Sequence, residues 1–286
     1  MNTAIGIGLP NQVRDVDPTV IPRWAVLAEQ AGFSTLGTVG RFAYPGVGDT
    51  VALAAAAAVT SRIGLMSNVM LTATWPGVLL AKELAGIDGI SGGRLRLGIG
   101  VGDRPDDFVA PGYGLARRGT RTDRDLETFR EVWAGKPVGG GPNAAVPTGT
   151  RQIPLFFGAR SAAAMDRMAR WGEGYIGGSF PAPLAAPSFD TARQAWRKAG
   201  RDGEPHLIAL VYFSLTDGEK GRANVYDYYS GRSSEMADVV TSGVATSASE
   251  VKRAVAAFAD LGVHEIVLNP ATDAIDEIQR VADATV

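Results

Sequence analysis

Short apolar runs alternate along the whole chain with segments in which apolar residues recur at helical spacing. Strands that are buried on both faces are continuous apolar runs rather than alternating patterns, and such strands are typical of parallel sheets. The pattern predicts eight strands, at residues 4–9, 33–39, 63–71, 94–100, 153–157, 174–177, 206–215 and 264–268.

Helix-start signals appear in the segments between these strands. Thr120 with Asp123 resembles a capping box, in which a hydroxyl and a carboxylate satisfy the first free amides of a helix. Ser247 with Glu250 has the same spacing before the last strand. Two additional helices are predicted between strands seven and eight, at residues 217–229 and 234–241.

Eight strand–helix units predict an α/β fold, a single (β/α)8 TIM barrel over residues 1–286. Inserted loops and the helical pair between strands seven and eight would be additions to that barrel. A doubly wound sheet is the main competing architecture. It would need fewer units or two domains, and the chain has no linker-like segment.

Composition narrows the classes of function. The 28 basic and 30 acidic residues give a net charge of -2, so we expect neither a nucleic-acid nor a membrane partner. The lack of cysteine excludes disulfides, thiolate nucleophiles and cysteine metal sites. Residues 1–9 do not resemble a signal peptide, and no apolar run reaches the roughly 20 residues that span a bilayer. We therefore expect a cytoplasmic protein.

The chemistry of such barrels lies at the carboxyl ends of the strands, and two neighbouring strands end in glycine-rich segments. Free amides at a helix start, together with an arginine and hydroxyls, are suited to a phosphate. The alternative is that both segments are ordinary strand-to-helix turns. The candidate phosphate-binding residues are Gly158, Ala159, Arg160, Ser161, Gly177, Gly178 and Ser179.

The fourth strand ends in the glycine run Gly98-Ile-Gly100-Val-Gly102. A dinucleotide fingerprint needs a helix that starts within the glycines, and Pro105 delays any helix here. A flat ligand packing against bare backbone explains the run better. Both histidines, by contrast, stand near strand starts, so we predict no imidazole base.

A metal site is conceivable at the carboxylates that follow this run. Asp103, Asp106 and Asp107 lie close together in sequence, but such a cluster is more typical of a solvated turn. We therefore predict no metal.

Several motifs resemble the bacterial luciferase-like family of flavin- or deazaflavin-dependent oxidoreductases. The strongest is ISGGRLRLGIG at residues 90–100, and the next is the spacing from FGARS at 157–161 to GEGYIGG at 172–178. The similarity extends through most of the chain. It implies a TIM barrel that binds FMN or the deazaflavin coenzyme F-420, acts on a small organic molecule and forms a homodimer. Monooxygenase members would also need a separate reductase.

The resemblance also assigns roles to residues. It places the flavin-type ring on a bulge after strand three that often contains a non-prolyl cis peptide, here within residues 66–69. It places Asp103 near the ring as a candidate for proton transfer. The residues that it implies as the seat of the ring are Met66, Ser67, Asn68 and Gly100.

One departure from the family pattern concerns strand two. Many members end it with Trp-x-x-Asp-His, whereas this chain has Gly37-Thr-Val-Gly-Arg41. Arg41 stands where the histidine would be, and we consider it as a second catalytic candidate that could hold an anionic substrate or stabilise reduced flavin. The alternative is a salt bridge to a loop carboxylate.

Other arginines and aromatic residues bear on the choice of cofactor and on pocket closure. The tail of F-420 is anionic, so a basic channel would favour it over FMN, although the same arginines could be solvated loop charges. Tyr226, Tyr228 and Tyr229 of the helical pair could cap the pocket or simply pack. The candidate channel residues are Arg104, Arg117, Arg118 and Arg121.

Two other classes of function remain open at this stage. A non-catalytic flavin-binding protein is one, because the usual end of strand two is missing. A phosphosugar isomerase or aldolase is the other, but it predicts a catalytic lysine or a His/Glu pair, and no lysine falls at a predicted strand end.

Overall fold

The described residues, 3–158 and 160–286, contain nine parallel strands in one closed sheet in this computed structural model. The strands are β1 (Ala4–Gly8), β2 (Thr35–Thr38), β3 (Gly64–Ser67), β4 (Met70–Leu71), β5 (Leu95–Gly100), β6 (Leu155–Gly158), β7 (Gly174–Ile176), β8 (His206–Phe213) and β9 (Glu265–Pro270). Their order is β3-β2-β1-β9-β8-β7-β6-β5-β4, and pairing of β3 with β5 closes the barrel. The predicted α/β TIM barrel is therefore confirmed.

Strands β3 and β4 are two parts of the single strand predicted at 63–71. β3 pairs with the start of β5, where Leu65 lies opposite Leu95, and β4 pairs with its end, where Met70 lies opposite Ile99. Between them the Asn68–Val69 peptide bond is cis. This cis bond lies at the mouth of the barrel and within residues 66–69, where the resemblance implied one.

Helices surround the sheet. They are α1 (Val20–Gln30), α2 (Asp49–Val59), α3 (Gly77–Ile90), α4 (Pro105–Val109), α5 (Arg118–Trp133), α6 (Ala162–Trp171), α7 (Ala182–Lys198), α8 (Gly218–Ser230), α9 (Ser234–Ser242), α10 (Ala248–Asp260) and α11 (Asp276–Thr285). The predicted helical pair is α8 and α9. None of the helices in the described residues is both long and apolar enough to cross a membrane.

Two predicted capping boxes have different outcomes. Ser247 caps α10, since its Oγ accepts a hydrogen bond from the Glu250 amide at 3.3 Å. The box at Thr120 is wrong, because α5 begins earlier, at Arg118. Asp123 instead accepts a hydrogen bond from Arg167 Nε at 2.6 Å, which joins α5 to α6.

The core has two layers, one between the sheet and the helices and one inside the barrel. Most buried apolar residues lie between the sheet and the helices, where they form one large cluster. At the amino ends of the strands, Arg96 donates a hydrogen bond to Glu265 at 2.7 Å, and the rings of His206 and His264 stack 4.7 Å apart. Both histidines therefore lie away from the mouth, as predicted. The inner cluster consists of Met66, Phe156, Ile176, Ile208, Leu210 and Val267.

Candidate active site

A cavity of about 630 Å³ opens at the carboxyl ends of the strands, on the side of the barrel formed by β3 to β8. Its volume lies in the range of small-molecule and cofactor sites. The residues between β3 and β4 and those after β5 form its floor, the segments after β6 and β7 form one end, and the starts of α5 and α6 form a wall. The lining from α8 and the loop after it is Tyr229 and Arg232.

The floor is a valine side chain between bare backbones. A Cβ at Gly100 would overlap Val69 Cγ2, and a Cβ at Gly158 would stand 3.1 Å from Val69 Cγ1. Gly102 has a φ of +70°, which favours glycine. A larger residue is therefore disfavoured at Gly100 and Gly102 and would displace Val69 at Gly158, which agrees with the interpretation of a flat ligand.

Gly98 has a different reason to be glycine. Its Cβ would overlap the carbonyl oxygen of Ser67 and lie 2.6 Å from Ile176 Cδ1. It therefore packs against the neighbouring strand beneath the floor, and Gly98 is not among the residues that line the cavity. The flat-ligand explanation applies to only part of the glycine run.

The four residues predicted to seat the ring lie at two levels. Asn68 and Gly100 line the cavity. Met66 is fully buried in the inner cluster below, and the hydroxyl of Ser67 is bonded to Gly98, donating to its carbonyl oxygen at 2.8 Å and accepting from its amide at 3.1 Å. Within the described residues, neither amide atom of the Asn68 side chain has a hydrogen-bond partner, although a buried amide normally has one.

The predicted phosphate residues meet at one end of the cavity. Ser161 is the N-cap of α6, where its Oγ accepts a hydrogen bond from the Ala164 amide at 3.3 Å. The guanidinium of Arg160 lies 5.4 Å from the centre of the Phe180 ring. Ala159 lies outside the described residues. The predicted residues that line this end are Gly158, Arg160, Ser161, Gly177, Gly178 and Ser179.

The two catalytic candidates have different surroundings. Asp103 lines the cavity and forms an ion pair with Arg232. Arg41 does not line the cavity; it pairs with Asp106 at 2.6 Å and with Asp107 at 3.5 Å, and its side chain is only 5% exposed. The salt bridge considered as the alternative for Arg41 is thus present, and it ties α4 to the loop after β2.

A smaller space of about 160 Å³ adjoins the floor and extends toward β2 and α8; we call it the side chamber. It shares Asn68, Asp103, Tyr229 and Arg232 with the main cavity. Sequence reasoning missed Arg232, because nothing in its local sequence links it to the loop after β5. The residues that line only the side chamber are Val39, Gly40, Arg104, Asp107 and Tyr228.

The main cavity is basic although the chain is slightly acidic. Its charged lining residues in the described chain are Asp103, Arg117, Arg118, Arg160, Arg167 and Arg232. Arg232 and Arg167 are paired with carboxylates, Asp103 and Asp123 respectively. Arg121, also expected in the channel, instead donates to the carbonyl oxygens of Ala73 and Gly114.

That leaves Arg117, Arg118 and Arg160 without a carboxylate within 4.0 Å among the described residues. Arg118 does donate to the Gly102 carbonyl oxygen at 2.8 Å, which fixes it beside the floor. Three cations at one cavity, unbalanced by the protein itself, favour an anionic ligand.

Asp49, the first residue of α2, stands behind the side chamber. A Cβ at Gly40 would overlap its carboxylate, and within the described residues its Oδ1 has no hydrogen-bond partner. Burial raises the pKa of Asp49 to about 6, and the Thr38 hydroxyl offsets part of that shift. Its folded-state pKa is therefore above its ordinary value of 3.8.

We expect Asp49→Asn to raise the free energy of unfolding at pH 8 by about 1–2 kcal/mol and to have little effect at pH 4. A raised folded-state pKa contributes stability below pH 3.8, and that contribution is lost as the pH rises through about 6. Urea unfolding at both pH values measures the difference. If Asp49→Asn changed the free energy of unfolding equally at pH 4 and pH 8, the ionisation of the carboxylate would not be the cause.

Comparisons with known proteins agree with this arrangement. A family model described as luciferase-like monooxygenase matches residues 4–285. An uncharacterised protein of Mycobacterium tuberculosis is 31% identical over 236 residues, covering 72% of this chain and 82% of that protein.

Two solved structures show the same fold. Monooxygenase RslO1 from Streptomyces bottropensis has a TM-score of 0.76 at 23% identity, with 99% of this chain and 98% of that chain covered. An F-420-dependent secondary alcohol dehydrogenase, in complex with an F-420–acetone adduct, has a TM-score of 0.79 at 15% identity. The match covers 100% of this chain and 98% of that chain.

Proposed function

The chain belongs to the luciferase-like monooxygenase family, and we propose that it is an oxidoreductase that uses the deazaflavin coenzyme F-420 to act on a small organic substrate. The family supports a flavin or deazaflavin cofactor. The observation that favours F-420 over FMN is the set of cavity arginines without carboxylate partners, Arg117, Arg118 and Arg160. FMN has one phosphate, whereas F-420 carries a phosphate and an anionic tail.

The cavity fits such a cofactor in three places. The flat floor at Val69 and Gly100 suits a planar ring, and the unpartnered amide of Asn68 can hydrogen-bond to its edge. Arg160 and the start of α6 suit the phosphate. Arg117 and Arg118, at the start of α5, suit the anionic tail.

A deazaflavin held by these residues would supply the hydride acceptor or donor for interconversion of an alcohol and a carbonyl compound, and that conversion would release or take up one proton. The protein has to hold that proton and exclude water. Asp103 lines both the main cavity and the side chamber, so its carboxylate can exchange the proton of a substrate held between them. Tyr229 also lines both spaces, where its ring would limit access of water.

A flavin monooxygenase is the second candidate. It is supported by the family description and by the monooxygenase whose fold the chain shares. In that case Arg160 would hold the FMN phosphate, Arg117 would have no role in cofactor binding, and a separate reductase would supply reduced FMN.

Titration of the purified protein with F-420 and with FMN, followed by absorbance and fluorescence, tests the choice. We expect Arg160→Ala to weaken binding of F-420 by about 1.5–3 kcal/mol, because a charge-assisted hydrogen bond to the phosphate is lost. Arg117→Ala should weaken F-420 and leave FMN unchanged. Arg23→Ala, at an exposed position on α1, is the matched control.

Tighter binding of FMN than of F-420, or an equal effect of Arg117→Ala on both, would favour the flavin monooxygenase. Saturable binding without turnover of the reduced cofactor by any acceptor would instead favour a non-catalytic binding protein.

A further inference from the structure

Arg104 lines the side chamber and has a donor that no group in the described part of the chain uses. Within the described residues its buried Nε has no hydrogen-bond partner, while one terminal nitrogen donates to the carbonyl oxygen of Tyr228 at 3.2 Å. The guanidinium carbon lies 5.1 Å from the centre of the Tyr228 ring and 5.6 Å from that of Tyr229. The aromatic rings and the carbonyl fix the position of the guanidinium and leave the Nε–H free.

Three arginines and three aspartates surround the side chamber, so its charges balance, but none of the aspartates pairs directly with Arg104. Two arginines are close to it in the same region, and each already has a carboxylate: Arg41 pairs with Asp106 and Asp107, and Arg232 pairs with Asp103. In the described part of the chain no carboxylate oxygen lies within 4.0 Å of Arg104. A half-buried guanidinium without a direct carboxylate partner can take one from a ligand.

The side chamber lies on the opposite side of the floor from the phosphate residues. Those residues follow β6 and β7, whereas Val39 and Gly40 of the chamber follow β2. In the sheet β5 and β3 separate β6 from β2, with the floor above them. An anion at Arg104 is therefore distinct from the cofactor phosphate and lies beyond the far edge of the floor.

We propose that the side chamber binds the substrate through a carboxylate held by Arg104. This rests on the proposed function, because it makes the molecule bound in the chamber the redox partner of the cofactor. The substrate class is a small aliphatic acid that carries an alcohol or carbonyl group. Asn68 lines both spaces and has two amide atoms that are unpartnered in the described part of the chain, so its NH2 group can donate to the alcohol or carbonyl oxygen while its carbonyl oxygen stays available to the ring edge.

The volume of the chamber limits the size of the acid. The chamber has about 160 Å³ against about 630 Å³ for the main cavity, which suits an acid of a few carbon atoms rather than a long chain. Arg104 supplies the planar donor group that recognises carboxylates best. A long-chain or bulky acid would have to extend into the main cavity and over the floor.

The test compares pyruvate with its neutral amide, pyruvamide, which has nearly the same shape. Binding of both to the F-420-loaded protein is measured by saturation-transfer NMR, and the protein without cofactor is measured in parallel. We expect pyruvate to bind at least tenfold more tightly than pyruvamide. Arg104→Gln should abolish that preference, Arg104→Lys should retain part of it, and Arg253→Gln, at an exposed position on α10, should leave it intact.

Equal affinity for pyruvate and pyruvamide, or a preference that survives in Arg104→Gln, would overturn the proposal. So would loss of F-420 affinity in Arg104→Gln with pyruvate binding retained, since Arg104 would then belong to the cofactor site. A protein that binds no F-420 but still prefers pyruvate through Arg104 would retain the carboxylate site and refute the proposed cofactor. Failure of the two proposals is therefore distinguishable.

Discussion

Asp103→Asn should lower the turnover number by about 100-fold or more while leaving the dissociation constant of the cofactor within about a factor of three. The carboxylate lines both the main cavity and the side chamber, so it can reach a substrate placed between them. An amide keeps the shape of the side chain but cannot take the substrate proton, and loss of a positioned acid or base typically costs 10²–10⁴ in rate. Steady-state turnover at saturating cofactor, with a separate binding titration, measures both quantities.

The ion pair of Asp103 supplies the control for this experiment. Arg232→Gln removes the cation from the pair and leaves the Asp103 carboxylate in place. We expect Arg232→Gln to reduce turnover less than tenfold, because the Asp103 carboxylate would change its position but would still be present. If both variants had the same effect on turnover, Asp103 would be a positioning residue that anchors the loop after α8. Unchanged turnover in Asp103→Asn would remove it from the mechanism.

Much of the fold could be predicted because each strand–helix unit carries its own local signals. The apolar runs and the helix starts can be recognised from neighbouring residues alone. A closed barrel is built by repeating one strand–helix unit, so these local signals recur along the chain. The division of the predicted strand at 63–71 into β3 and β4 could not be predicted from periodicity. Most of its residues are apolar, with Ser67 and Asn68 as the polar exceptions, and the interruption at Asn68 and Val69 depends on the opposing glycines of β5 and β6.

In the candidate site, too, features formed by residues adjacent in sequence could be predicted, and contacts between residues far apart in sequence could not. The residues after β6 and β7 could be predicted, because a glycine-rich turn and the start of a helix are adjacent in sequence. The surroundings of Arg104 could not be, since its contact with Tyr228 joins residues 124 positions apart. Arg41 was a candidate through its place in a motif, but its salt bridges depend on where α4 packs.

The glycine run at the end of β5 shows why one motif can have two causes. All three of its glycines look equivalent in sequence. Gly100 leaves room for the Val69 side chain of the floor, and Gly102 adopts a positive φ. Gly98 leaves room for the backbone of the neighbouring strand. Gly100 and Gly102 line the cavity and can face a ligand, whereas Gly98 is required for β3 and β5 to pack together.

Gly98→Ala should therefore reduce the free energy of unfolding by about 3 kcal/mol, at the upper end of the usual cost of overpacking. The added methyl would overlap the carbonyl oxygen of Ser67, which is backbone and cannot rotate away. Ser67 also bonds to both backbone groups of Gly98 through its hydroxyl, so β3 and β5 cannot separate without losing those bonds. Urea unfolding measures the loss.

Gly86→Ala is the matched control, because it makes the same chemical change on the exposed side of α3 with nothing within 4 Å of the new methyl. It should stabilise the protein by about 0.5–1 kcal/mol, since alanine favours a helix. Gly98→Ala should also weaken cofactor binding where the variant folds, because displacement of Ser67 moves Asn68 and Val69 in the floor. A variant that lost stability but kept full cofactor affinity would show that the floor is independent of the closure between β3 and β5.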